Sequence, residues 1–159
     1  MRRDRVRYPR WLPALLLLIF GMPLAAQDFK LPDAPEGVAI DGYSPVSYFE
    51  RNMPERGNPA FSAEHDGKTY WFVSAEQVAT FKADPQHYVP AFNAFCPYSL
   101  ALGRKVAIDP TRFKIVDGQL LLFHNSDELD ALEEWNAKGD DYWLQRKGDG
   151  EYTLKSFNF

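Results

Sequence analysis

The side chain with the most distinctive chemistry is the single cysteine, Cys96. It cannot form a disulfide within the chain, so its thiol must be buried and inert, paired with another molecule, bound to a metal or reactive. A thiolate favours soft ions such as Cu(I), with imidazole completing the coordination. His87 is the histidine nearest in sequence, and His65 lies beside a predicted turn. The residue types therefore predict a copper site at Cys96, His87 and His65.

Three functional hypotheses follow from this cysteine. The first is a non-enzymatic binding protein that takes a copper ion through Cys96. The second is a thiol-dependent enzyme or redox partner in which Cys96 is the reactive group. The third is a cofactor-free interaction module in which Cys96 is core, since free cysteine is among the most often buried residue types. The chain has no phosphate-binding loop, His-Glu-x-x-His motif or nucleophile elbow, which favours the non-enzymatic interpretations.

Residues 1–26 have the order of a secretory signal peptide: a basic head, a short apolar stretch and a small-residue site ending at Ala26. Pro13 and Pro23 interrupt the apolar stretch, which is short for a spanning helix. We therefore expect a periplasmic or secreted protein with no stable membrane insertion after cleavage. The segment holds five arginines and one aspartate, so the remainder carries a net charge of −8. This charge disfavours nucleic acid as a partner and leaves a metal ion or an exported protein.

The remaining sequence predicts one small α+β domain. Residues 27–36 form an extended leader, 37–147 the domain, and 148–159 a tail or edge strand. Asp66-Gly67 and Asp117-Gly118 each separate two apolar runs and predict β-hairpins. We expect the two hairpins to form one small antiparallel sheet with helices packed on it.

Helix boundaries are indicated by capping residues. Pro45 starts a first helix and Asn52 ends it, while Ser74 caps a second. Residues 89–112 contain Cys96 and show little periodicity, so a long loop of functional interest is predicted. Ser126 or Asp127 is expected to cap the last helix.

The segment 67–88 resembles the YHS domain. The positions that carry the resemblance are Gly67, Tyr70, Phe72, Ser74, Phe81, Asp84, Pro85 and Tyr88. Residues 42–49, 95–98 and 117–120 are similar to further segments of the exported branch of that family, as is Trp143, so the resemblance covers about residues 37–144.

The resemblance implies a treble-clef-like core, but one without the zinc cysteines of the metal-binding members. Ser47, Val73 and Gln77 stand at or near those positions. The loop before Cys96 also departs from the family pattern, because it has Asn93-Ala94 in place of Gly-Gly.

Overall fold

The structure, a computed structural model, describes residues 37–145. The predicted signal peptide at 1–26, the leader at 27–36 and the tail at 148–159 lie outside the described residues. Between 37 and 145 no helix is long and apolar enough to cross a membrane.

Helices and two hairpins alternate along the described chain. The helices are α1 (Pro45–Arg51), α2 (Ala75–Ala83), α3 (Pro85–Tyr88), α4 (Pro97–Ala101), α5 (Ala131–Lys138) and α6 (Asp140–Gln145). The strands are β1 (Asn58–His65), β2 (Lys68–Phe72), β3 (Asp109–Val116) and β4 (Gln119–Phe123). Two short 3₁₀ turns, Ala39–Gly42 and Ala91–Ala94, are called the first turn and the second turn below.

Both predicted hairpins are confirmed, and the fold is α+β. In the first, His65 pairs with Lys68 across its Asp-Gly turn. The prediction of one shared sheet is wrong, because each hairpin forms its own two-stranded antiparallel sheet. An isolated bridge from Val38 to Thr69 lies beside β2, and one from Pro90 to Leu120 lies beside β4. The positions beside β2 and β4 are therefore occupied by the segments around the two turns, and not by a strand of the other hairpin.

The caps of α1 and α2 agree with the sequence. Asn52 ends α1 in the left-handed conformation, and the Ser74 hydroxyl accepts a hydrogen bond from the backbone N–H of Gln77 at 3.3 Å. The cap predicted for the last helix is wrong. Asp130 caps α5, and its carboxylate accepts from the N–H groups of Leu132 and Glu133.

Two apolar clusters form the core, and β4 separates them. Its side chains alternate between the two faces of the strand, and both faces are buried. The Phe81 cluster comprises Ile40, Val46, Tyr48, Ala63, Tyr70, Phe72, Phe81, Leu120 and Leu122. The Cys96 cluster comprises Cys96, Ala101, Val116, Leu121, Phe123, Ala131, Trp135, Trp143 and Leu144.

Candidate functional site

A cavity of about 370 Å³ opens where the two turns meet the first hairpin. Its volume is within the range of small-molecule sites. The lining is mixed. The apolar part is Val38, Ala39, Ile40, Val89, Pro90, Ala94, Phe95, Ala107 and Ile108. The polar part is Asp41, His65, Asp66, Lys68, Tyr70 and Asn93. A small ligand with an apolar body and one or two polar groups would match this lining.

Backbone strain is concentrated around the cavity. Ile40 and Asp41 in the first turn, Asp66 in the hairpin turn, and Asn93 and Ala94 in the second turn all have left-handed φ between 49° and 62°. This conformation costs an L-residue roughly 1–2 kcal/mol, but Asp and Asn adopt it routinely, so the strain falls on Ile40 and Ala94. Such residues persist where the surrounding structure imposes them, and they gather at ligand sites. Their position here supports a binding role for the cavity.

The second turn has left-handed backbone at residues that are not glycine. Asn93 and Ala94 adopt a conformation that glycine would adopt without steric cost. Glycine-like geometry is therefore kept here without glycine.

We expect Ala94→Gly to raise the free energy of unfolding by about 1 kcal/mol, because it removes the left-handed penalty at φ 62°. Urea unfolding measures the change. The matched control is Ala91→Gly in the same turn, a residue without positive φ, which should lose up to about 1 kcal/mol. Equal effects of the two changes would contradict the assigned strain.

Tyr70 is the buried polar residue of the cavity wall. It is 4 % exposed, and its ring packs against Phe81. Its hydroxyl has no hydrogen-bond partner among residues 37–145. Burial raises the pKa of the phenol, and the nearby Asp66 carboxylate raises it further. The hydroxyl therefore stays protonated at neutral pH and can donate or accept a hydrogen bond.

The charged groups of the wall differ in whether they have partners. The Lys68 ammonium donates to the carbonyl oxygen of Asn93 at 3.5 Å. The His65 Nε2 lies 3.0 Å from the Gln86 side-chain amide nitrogen and 3.4 Å from the Asp66 carboxylate. The Asp41 carboxylate is exposed and has no hydrogen bond or ion pair with any described residue.

Cys96 lies in the Cys96 cluster with no exposed surface. Its backbone N–H donates to the carbonyl of Val106, and it immediately precedes α4. The long loop predicted at 89–112 therefore contains a helix and the second turn, and its cysteine is core. A thiol without solvent access reacts and exchanges ligands slowly.

The two predicted histidine ligands lie on the other cluster. The His87 ring lies tilted against Phe49 and edge-to-face with Tyr88, with ring centroids 4.7 and 4.6 Å away. The His65 ring contacts Phe81 edge-on and lines the cavity. Nowhere between 37 and 145 do three or more His, Cys, Asp or Glu side chains converge to hold a metal ion. A copper site at Cys96, His87 and His65 stays a prediction. In the part of the chain that the structure describes, the Cys96 sulfur is buried and the three side chains do not form one group of ligands.

A buried hydrogen-bond network is centred on Gln77 and includes the Ser47 side chain and the Val73 backbone. The Gln77 side chain is 4 % exposed. Its carbonyl oxygen accepts from the Ser44 hydroxyl at 2.7 Å and from the Val73 N–H at 3.4 Å. Its amide donates to Ser47 and to Glu50, both at 3.1 Å. We call these residues the Gln77 network; their side chains do not fit a thiolate zinc site, because none of them carries sulfur.

The cavity was not predicted from the sequence. Its wall depends on left-handed turns at non-glycine residues, which sequence patterns signal only weakly. The resemblance offered one signal: the YHS pattern has Gly-Gly where this chain has Asn93-Ala94, and glycine pairs mark left-handed backbone. The strain at Asn93 and Ala94 agrees with that signal.

Comparisons of the chain with protein-family models, with curated proteins and with solved structures gave no match.

Proposed function

We propose that this chain is an exported, non-enzymatic binding protein of YHS type whose ligand occupies the cavity beside Tyr70. The observation that carries the proposal is Tyr70, a residue only 4 % exposed that lines a cavity of about 370 Å³ and whose hydroxyl has no hydrogen-bond partner among residues 37–145. A bound molecule with a polar group would pair with this hydroxyl, and a hydrogen bond of this kind contributes about 0.5–1.5 kcal/mol net.

Two further features support a binding role. Two residues with strained left-handed backbone, Ile40 and Ala94, line the cavity, and strain of this kind is kept at ligand sites. The aromatic and aliphatic lining offers area for an apolar body, and Phe95 at the edge is 37 % exposed.

The YHS assignment rests on the sequence resemblance and on the convergence of Ser47, Val73 and Gln77. The Ser47 and Gln77 side chains, 30 residues apart in sequence, are hydrogen-bonded at 3.1 Å, and the Val73 backbone N–H donates to the same glutamine. The Gln77 amide is at the centre of these contacts. Export rests on the signal-peptide pattern of residues 1–26.

The test is an amide chemical-shift titration of the purified protein with three probes that share a phenyl body: phenethylamine, 2-phenylethanol and phenylacetate. We expect at least one probe to saturate and to shift the amides of Val38, Tyr70 and Ala94. Ala107→Trp places a bulky ring on the cavity wall and should abolish the shifts. Ala137→Trp, on the exposed face of α5, is the matched control and should keep them. Failure of all three probes, or shifts confined to other surfaces, would overturn the proposal.

A further inference from the structure

The polar groups of the cavity wall are unequally satisfied. Three of them have no hydrogen-bond partner among residues 37–145: the Asp41 carboxylate, the Tyr70 hydroxyl and the Asn93 side-chain amide. The Lys68 ammonium contacts one backbone carbonyl oxygen at 3.5 Å, and His65 is already in contact with Gln86 and Asp66. Asp41 is therefore the charged group of the wall that has no partner among residues 37–145, and the donors that pair most strongly with a carboxylate are cationic.

The formal charges of the cavity wall also favour a cation. Asp41 and Asp66 outnumber Lys68, so the wall is net negative with His65 neutral. The whole chain has a net charge of −4. The negative charge of the wall and that of the whole chain both attract a cation to the cavity and repel an anion.

We infer that the cavity selects an organic cation, a protonated amine on a small apolar body. The inference rests on the proposed function and adds the ligand class. An ammonium group has three donors and no acceptor, so it can pair with the Asp41 carboxylate and keep donors for other acceptors of the wall. The apolar body would then lie against Ile40, Ala94 and Ile108. An amine stays protonated at neutral pH, as lysine does.

The chain provides a close control for Asp41. Asp41, Asp66 and Asp117 each precede a glycine, each has a φ near 50°, and each is exposed. Asp41 and Asp66 line the cavity, whereas Asp117 does not. Asparagine tolerates the left-handed conformation, so Asp→Asn removes charge without new strain at either place.

The experiment measures dissociation constants for the same three probes. We expect phenethylamine to bind more tightly than 2-phenylethanol, and phenylacetate to bind most weakly. Asp41→Asn should weaken phenethylamine about fivefold, as for a partly exposed ion pair, and leave the alcohol within twofold. Asp117→Asn should change neither. Raising NaCl from 20 to 500 mM should weaken the amine alone, a readout that needs no variant.

The outcomes separate the two proposals. If the alcohol or the acid binds as tightly as the amine, or if Asp41→Asn weakens amine and alcohol equally, the cation inference is overturned while the cavity keeps its role. If no probe binds, the proposed function itself fails.

Discussion

Gln77→Leu is expected to lower the free energy of unfolding by about 3 kcal/mol. Leucine is close to glutamine in volume but offers no hydrogen-bonding group. The hydroxyls of Ser44 and Ser47, both in residues with no exposed surface, would lose their partner, and so would the Val73 N–H. Each buried polar group left unpaired costs about 1–3 kcal/mol, and the gain from burying an aliphatic side chain offsets part of the sum.

Urea unfolding followed by tryptophan fluorescence measures the effect. The matched control is Gln86→Leu, because the Gln86 side chain is exposed and bonds only to His65 at the surface. Exposed substitutions of this kind stay within about 0.5 kcal/mol. A loss below 1 kcal/mol for Gln77→Leu would mean that the serine hydroxyls find other partners and that the Gln77 network does not tie α1 to α2.

The Gln77 network shows why contacts between distant side chains were only partly predictable from the sequence. The resemblance groups Ser47, Val73 and Gln77 only as an expectation, and none of the three carries a thiol. It does not predict that a glutamine amide, which can accept and donate at once, joins α1 to the start of α2. That link depends on side-chain geometry between segments about 30 residues apart, and local patterns carry no information on it.

Local signals predicted local structure well. The Asp-Gly turns, the Ser74 cap and the Asn52 stop each act over four residues or fewer, and all are confirmed. The errors lie where a choice depends on distant contacts. Ser126 has the chemistry of a helix cap, but its hydroxyl accepts from Glu128 in a turn, and Asp130 caps α5 instead.

Sheet topology is the second such case. Each hairpin is determined by its own turn and register. Pairing between the two hairpins depends instead on which segment of the chain lies along the edge of each strand. Val38 bridges to β2 and Pro90 bridges to β4, so the segments around the first and second turns lie at those edges. The same two turns form the cavity wall. The wrong prediction of one shared sheet and the failure to predict the cavity therefore have the same cause. Both depend on where the first and second turns pack, which the local sequence does not indicate.

Cys96 is expected to react with a thiol reagent at least about 1,000-fold more slowly in the folded protein than in urea. The residue has no exposed surface and lies in the same cluster as Trp135 and Trp143. Reaction therefore requires an opening of the core, and an opening free energy of about 4 kcal/mol already gives three orders of magnitude of protection. Stopped-flow labelling with a chromogenic disulfide measures both rates.

The control separates burial from the chemistry of the thiol. In the double variant Cys96→Val, Ala137→Cys the thiol lies on the exposed face of α5, so folded and unfolded rates should agree within about tenfold. A parallel anaerobic titration with Cu(I) against a competing chelator compares the parent with Cys96→Ala. Slow labelling, with no copper binding lost in the variant, places Cys96 in the core and leaves the cavity as the binding site. Fast labelling, or one-to-one copper binding that Cys96→Ala removes, would contradict the core assignment and return the thiol to the centre of the function.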